Sequence, residues 1–255
     1  YFHVLSDNKD LTFKPTFFDK DILMIQNEYR QQNKKSFFIA DFNVADGYKS
    51  KSSQKENTLI HFFSKYESDL DFENFIVSSL DISYQQVNND TYLKIFDTNI
   101  VDTELKPDSV DTLTSDIELN LEHEKFNFTT GFTAYEDLSK PNSDRYQYIL
   151  PYYDFSKNFF DNNNFGSFDF VSQGDNILKD TNSLRSRMIN NLNIQSFNFI
   201  SDKGFKNNLN YYLKNTITSG KDNLEYDSSP EIKFSNIIEM QSSFPLIKIN
   251  ENYSN

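Results

Sequence analysis

The stretch FNFTTGFTAY, residues 126–135, alternates large apolar and small or polar side chains over ten positions. Phe126, Phe128, Phe132 and Ala134 share one parity, and most of the residues between them are Asn, Thr or Gly. Successive side chains of a β-strand point to opposite faces, so a period of two indicates a strand with one apolar and one polar face. The stretch therefore predicts half-buried β-structure.

The same alternation recurs along most of the chain. IELNLEH (117–123) places its aliphatic residues on one parity, and LNYYLKNTI (209–217) does the same with all its aliphatic and aromatic residues except Tyr212. SLRSRMINNL (183–192) is the best helical competitor, but its two adjacent Asn residues are poor helix formers, and a strand is predicted there too. The sequence predicts an all-β fold of about a dozen antiparallel strands.

Turn-forming residues separate these strands at two characteristic lengths. Short polar turns are predicted at 7–10, 19–21, 33–35, 201–204 and 219–223, and longer polar stretches at 46–57, 97–115 and 174–183. Short turns alternating with long loops are typical of an outer-membrane β-barrel. A soluble sandwich or a fibre also alternates, with its apolar face turned inward. The pattern leaves these architectures open, and no linker divides residues 1–255 into separate domains.

The composition excludes several classes of protein. The 255 residues include 26 Phe and 15 Tyr, which are too many for an ordinary disordered segment, although the mean hydropathy is −0.67. The net charge of −13 argues against a nucleic-acid partner held by phosphate neutralisation, and the absence of Cys excludes disulfides and thiolate zinc sites in this span. No signal-peptide pattern opens the sequence, so we expect a mature or excised piece of a longer protein.

No motif for catalysis or for metal binding stands out. The only histidines are His3, His61 and His123, and no two of them have zinc-ligand spacing. A Ser-x-x-Lys match at 52–55 lacks partners, and the calcium-like DNNNFG at 161–166 has Phe165 at a ligand position and no closing Glu. We therefore expect no enzyme activity, no cofactor and no metal site.

The stretch DLTFKPTFFD, residues 10–19, poses a question of its own. It has the composition of a strand, yet Pro15 stands in its middle. Because proline cannot donate to a sheet ladder, it is confined to edges, bulges and strand starts. Pro15 therefore indicates either a bulge or strand end, or a strand that pairs imperfectly.

Three stretches together resemble one protein family. They are YFHVLSDNKDLTFKPTFFDKDILMIQNEYR at the start, YQQVNNDTYLKIFD at 84–97 and DRYQYILPYYDFS at 144–156. Their order and spacing resemble the first barrel strands of the LPS-assembly protein LptD (organic solvent tolerance protein) family of Gram-negative outer membranes. Where that family usually has Ser-Asp after the Val, this chain has Asn88-Asn89. The matching positions are Tyr1, Phe2, Asn8, Asp10, Thr12, Pro15, Glu28, Tyr29, Arg30, Tyr84, Val87, Tyr92, Phe96, Asp97, Arg145, Tyr146, Leu150 and Pro151.

The resemblance implies a fold and a function. The chain would be the N-terminal portion of one transmembrane β-barrel in the cell outer membrane, with the periplasmic domain and the later strands outside it. Its activity would be the transport of lipopolysaccharide and its insertion into the outer leaflet. The exit would be a lateral gate at the first strands, formed by Tyr1, Phe2, His3, Val4, Leu5 and Ser6 together with Pro15.

The resemblance also implies partners. These are lipopolysaccharide itself, a plug lipoprotein inside the barrel (LptE-like), and a periplasmic bridge protein (LptA-like) that docks on the missing N-terminal domain. Two other functions remain open at this point. One is a secreted or surface-exposed soluble β-rich binding module, and the other is a generic porin or receptor barrel without a lipid gate.

Overall fold

The computed structural model of the chain describes residues 1–18, 22–49, 57–100, 103–162 and 166–244. The described residues form one antiparallel sheet of 14 strands, in which nearly every strand pairs with its neighbours in sequence. This confirms the predicted all-β antiparallel class. The strands are β1 Phe2–Ser6, β2 Lys9–Phe17, β3 Leu23–Gln32, β4 Ser36–Tyr48, β5 Asn57–Asp69, β6 Val77–Val87, β7 Thr112–His123, β8 Phe126–Asp137, β9 Tyr146–Asn162, β10 Gly166–Lys179, β11 Ser183–Gln195, β12 Phe199–Ile200, β13 Lys206–Lys221 and β14 Glu231–Ser243.

The two ends of the sheet are β1 and β14. Within the described residues β1 pairs only with β2, and β14 pairs only with β13. The two-residue strand β12 pairs with the start of β13, next to the end of β11. The hydrogen-bonded ladder therefore runs without interruption from β1 to β14.

One face of the sheet is apolar. Phe38, Tyr66, Ile82, Ile117 and Phe132 are successive partners across five neighbouring strands, from β4 to β8. Partners directly opposite each other in an antiparallel pair lie on the same face. We call the face that carries this row the apolar face, and no other layer of the described residues covers it.

The opposite face is polar. Glu67, Asp81 and Glu118 are successive partners on β5, β6 and β7, and the same row continues to Tyr152 and Asp175 on β9 and β10. We call this the polar face. Alternation therefore separates the two faces largely as the sequence predicts, with most exposed rings on the apolar face and most charged groups on the polar face.

A short helix covers part of the polar face. It is α1, Tyr92–Phe96, in the connection between β6 and β7, and the sequence pattern had indicated a strand there. The residues Tyr92, Leu93, Phe96, Ile100 and Leu105 are buried and form a hydrophobic core with the polar-face side chains of β3, β4 and β5. We call residues 88–100 and 103–111 the covering segment. No helix among the described residues is long and apolar enough to cross a membrane.

Two predicted loops prove to be mostly strand. The polar stretch at 174–183 continues β10 to Lys179 in unbroken register with β11, so that only 180–182 form the turn. Asp180 and Thr181 adopt positive φ angles of 48° and 65°, the conformation that tight hairpin turns need. Likewise β13 extends through Ser219, Gly220 and Lys221, where a turn was predicted. These stretches contain consecutive polar residues and glycines on both faces of the strand, a composition that sequence analysis takes for a loop.

The remaining turns agree in part with the sequence. The turns at 7–8, 33–35 and 201–204 lie where they were predicted. The turn at 19–21 and most of the loop at 46–57 lie outside the described residues, although Asp46–Tyr48 still belong to β4. In the predicted loop at 97–115, the last four residues begin β7.

Candidate functional site

The first two strands form the short seam that the sequence had singled out. β1 has five residues, all exposed, and it pairs with β2 from Phe2 opposite Thr12 to Ser6 opposite Lys9, with a register shift between Val4 and Ser6. His3 and Leu5 lie within the same strand. The strand predicted for Tyr1 to Ser6 is therefore present, and it makes fewer ladder pairs than most of the strands that follow it.

Pro15 lies inside β2, and the pairing of β2 with β3 is unbroken. Its partner is Ile25, and the register runs continuously from Lys9 to Phe17, so there is no bulge at Pro15. The amide of Phe13 donates to the Tyr1 carbonyl (2.7 Å), and the Tyr1 amino group donates to the Phe13 carbonyl (2.8 Å).

Backbone groups two residues apart on a strand face the same side. The nitrogen of Pro15 therefore faces the β1 side of β2, two residues beyond Phe13, whose bonds to Tyr1 end the described pairing of the seam.

Four of the family-motif residues meet on the polar face of β2 and β3. Arg30 Nε lies 2.9 Å from Asp10 Oδ1 and 3.5 Å from Glu28 Oε1, and Thr12 is the direct partner of Glu28. Tyr29 points to the apolar face, where its ring packs 6.1 Å from that of Phe38. The motif therefore places three charged side chains, Asp10, Glu28 and Arg30, together on the polar face next to the seam.

The turn after β1 holds Asn8, another motif residue. Asn8 accepts a hydrogen bond from the Ser6 hydroxyl (3.0 Å) and donates one to the Asn33 side chain (3.1 Å) in the next turn on the same rim. This bond ties the β1–β2 turn to the β3–β4 turn.

The second motif spans a strand and the covering segment. Tyr84 and Val87 belong to β6, with the Tyr84 ring on the apolar face 6.1 Å from Phe62. Tyr92 and Phe96 are buried in α1, and Asp97 follows α1 and pairs with Lys106 at 3.0 Å. The prediction that Tyr92 and Phe96 lie on a strand is wrong, because the polar residues Asn88 to Thr91 let the chain fold back over the sheet.

The third motif contains Arg145, which joins the covering segment to β8. Arg145 ends a 3₁₀ turn at Asn142–Arg145, and it bonds Asp90 of the covering segment at 2.7 Å and Glu136 of β8 at 3.0 Å. Its neighbour Tyr146 begins β9, as predicted.

The last two motif residues, Leu150 and Pro151, lie further along β9. Together they stand opposite the single residue Phe132, so Pro151 lies in a β-bulge.

A buried polar cluster lies beneath α1, and sequence reasoning did not find it. Gln26, Asn43 and His61 are direct partners in one row across β3, β4 and β5, and Asp41 lies two residues from Asn43 on the same face. All four are at most 2% exposed. The only signal in the sequence was that Asp41 and Asn43 share the parity of Ile39 and Ala45 in IADFNVA.

Tyr92 joins this cluster to the covering segment. Its hydroxyl lies 2.8 Å from His61 Nδ1 and accepts a hydrogen bond from the Asn43 amide. Burial raises the pKa of the Tyr92 phenol, so it stays protonated at neutral pH. Gln26 donates to Asp41 Oδ2 at 2.8 Å.

Comparison with known proteins adds no family to these observations. No family model and no curated protein matches this chain.

Proposed function

We propose that this chain is part of an outer-membrane β-barrel that transports lipopolysaccharide and inserts it into the outer leaflet, as in the LPS-assembly family that its motifs resemble. The observation that carries the proposal is the polarity of the sheet. Outside the small core beneath the covering segment, its rings and aliphatic side chains lie mainly on a face that nothing in the described residues covers. Its charged groups lie on the face that carries the covering segment.

Hydrophobic burial explains why this polarity favours a lipid environment. Phe42, Phe62, Ile117 and Phe132 each keep more than a third of their surface exposed on the apolar face. Exposed apolar area costs about 25 cal/mol per Å² in water, and a bilayer removes that cost. A soluble binding module would be expected to pack these side chains inward.

The seam at β1 and β2 supports the transport step. In lipid, each unpaired backbone group costs several kcal/mol, so a barrel opens where the fewest ladder bonds are lost. β1 offers five residues for pairing, and Pro15 removes a donor from that side of β2. The seam is therefore the place where a lateral gate opens at the lowest cost.

The polar face supports the proposed partners. Beyond the covering segment, one row on the polar face runs across β9, β10, β11, β13 and β14, and all its members except Ile189 are polar: Asp154, Gln173, Ile189, Thr216 and Lys233. This surface suits a wet lumen and a plug lipoprotein, and the sugar part of lipopolysaccharide would pass along it. The periplasmic bridge protein would dock on a domain outside this chain.

The first test uses the full-length protein that contains this chain. We expect it to remain in alkaline-washed outer membranes and to change its mobility on SDS gels only after boiling. Its depletion is expected to lower surface lipopolysaccharide. A soluble protein with unchanged mobility would overturn the proposal and leave the binding module. A heat-dependent barrel whose depletion leaves surface lipopolysaccharide unchanged would leave the generic porin or receptor.

Adjacent residues of β8 give a matched test of the two faces. The chain has no Cys, so Phe132→Cys and Thr133→Cys each introduce a single thiol into this span, one on the apolar face and one on the polar face. In intact outer membranes we expect a water-soluble maleimide to label the thiol at 133 and not the thiol at 132. The reverse pattern would contradict the assignment of the faces.

A further inference from the structure

The cluster beneath α1 leaves four polar atoms without a hydrogen-bond partner. They are Gln26 Oε1, Asp41 Oδ1, Asn43 Oδ1 and His61 Nε2, and none of them is accessible to solvent. A buried polar atom without a partner costs about 1–3 kcal/mol, so native structures pair such atoms with protein, water or an ion. Four of them in one place indicate a common ligand.

The cluster holds one buried carboxylate, and the only group beside it that can carry a positive charge is His61. Asp41 is 1% exposed, and the buried polar side chains of the described residues include no Lys or Arg. A buried carboxylate that has no cation beside it is strongly disfavoured. A metal ion bound to neutral His61 would supply that positive charge to Asp41.

The geometry distinguishes a metal ion from a water molecule. His61 Nε2 and Asp41 Oδ1 lie 3.2 Å apart, but they are not aligned as donor and acceptor. A water bonded to both atoms at about 2.8 Å would subtend an angle of only about 70°, which is too narrow for good hydrogen bonds. A metal ion bonded to both at about 2.1 Å subtends about 100°, between the octahedral and the tetrahedral value.

We propose that Gln26, Asp41, Asn43 and His61 form a site for a divalent transition-metal ion such as Zn²⁺. His61 Nε2 and Asp41 Oδ1 are its principal ligands, and the amide oxygens of Gln26 and Asn43 are the neighbouring donors. An imidazole nitrogen together with a carboxylate oxygen suits Zn²⁺ and similar ions better than Ca²⁺ or Mg²⁺. The described residues contain no group of three or more His, Cys, Asp and Glu side chains placed for a metal, so the two amides are essential to this site.

The proposed metal would hold the covering segment through Tyr92. When Nε2 binds the ion, His61 Nδ1 carries the proton and donates a hydrogen bond to the Tyr92 hydroxyl, 2.8 Å away. Such outer partners orient a metal-bound imidazole and strengthen its binding. The metal ion would then link β4 and β5 to α1. This inference does not depend on lipopolysaccharide transport.

The test measures metal in the folded full-length protein in detergent. We expect the protein to contain about one equivalent of Zn²⁺ or a similar ion. After stripping with a chelator, it is expected to bind one equivalent of Co²⁺ with the visible absorption bands of a bound ion. His61→Gln and Asp41→Asn are expected to lower the affinity at least tenfold. His123→Gln, at the exposed end of β7, is the matched control and is expected to bind normally.

The heat-dependent gel shift establishes whether each variant is folded. If a ligand variant does not fold, the Co²⁺ titration of the stripped and refolded wild-type protein decides the question by itself. A folded wild-type protein that takes up neither Zn²⁺ nor Co²⁺ would overturn the proposal. Equal Co²⁺ affinity in the wild-type and a folded His61→Gln variant would overturn it as well.

Discussion

The two parts of the sheet share one strand pattern, but side chains stabilise them differently. Every buried apolar side chain of the described residues lies between Met24 and Leu138, around the covering segment. Between residues 139 and 244 the described strands have no such core. There the polar face is held by pairs such as Asp175 with Arg185 and Arg187, at 2.8 and 2.9 Å. Alternation alone therefore builds the sheet, and only one part of it gains a core of its own.

The largest loss of stability is expected when Phe63, in the core beneath the covering segment, is replaced. Phe63 is 0% exposed and stacks on His61 at 4.2 Å, whereas its neighbour Phe62 points to the apolar face and is 36% exposed. Phe63→Ala removes a fully buried ring, so we expect a loss of about 3–5 kcal/mol in the free energy of unfolding. Phe62→Ala is expected to cost clearly less.

The measurement for this pair is urea unfolding of the full-length protein refolded into lipid vesicles. The two variants differ by one position in the sequence and by the face on which the ring lies. Equal losses for both would mean that the covering segment does not create a separate core.

A smaller effect is expected from the hydroxyl of Tyr92. Tyr92→Phe keeps the buried ring but removes the hydrogen-bond partner of His61 and Asn43. Leaving these groups unpaired is expected to cost about 1–3 kcal/mol. The control is Tyr84→Phe. The Tyr84 hydroxyl donates to Gln86 on the apolar face, and its removal is expected to change stability little. A loss in the control as large as that in Tyr92→Phe would contradict the special role of the buried cluster.

The strands could be predicted from the sequence because their cause is local. Alternation over ten residues, as in FNFTTGFTAY, is decided by neighbouring residues and needs no distant contact. The errors arose where a polar residue had a partner elsewhere. Asp175 and Asn176 were assigned to a loop, yet they stay in β10, where Asp175 pairs with Arg185 and Arg187 across the hairpin.

The candidate site was predictable only in part. The family motif led to the strand at the seam, whereas the ion pair of Asp10 with Arg30 was not predicted, because it depends on the register of β2 with β3. The buried cluster was missed because Gln26, Asn43 and His61 become neighbours only through the registers of three strands. Spacing along the chain carries no signal for such a row.

A still smaller effect on stability is expected where the covering segment meets β8 and β9. Arg145 bonds Asp90 and Glu136, and Asp90 is largely exposed. Arg145 and Glu136 are only 16% and 22% exposed. Solvent-open pairs contribute about 0–1 kcal/mol, and Gln at this position can still donate a hydrogen bond to Glu136, so Arg145→Gln is expected to lower the free energy of unfolding by about 1 kcal/mol. Local release of the covering segment is also expected to speed its proteolysis, since proteases cut segments that open locally.

The measurement is limited proteolysis of the folded protein, with cleavage sites mapped within 88–111. Lys140→Gln, at an exposed position in the neighbouring loop, is the control and is expected to be cut like the wild-type protein. Unchanged cleavage in Arg145→Gln would mean that the core alone holds the segment.

The smallest effect on stability, and the most informative for function, is expected at Pro15. Pro15→Ala restores an N–H on the β1 side of β2 without disturbing the register with β3. The loss of proline's rigidity in the unfolded chain costs about 0.4–1 kcal/mol, which the restored donor partly offsets. A better-paired seam opens less readily, so we expect slower delivery of lipopolysaccharide to the cell surface and greater sensitivity to large antibiotics. Pro151→Ala, at the bulge of β9 opposite Phe132, makes the same chemical change away from the seam and is expected to leave delivery unchanged. Unchanged surface lipopolysaccharide and antibiotic sensitivity in Pro15→Ala would remove the gate role. Equal effects of the two substitutions would assign the change to the barrel as a whole, because only Pro15 faces β1.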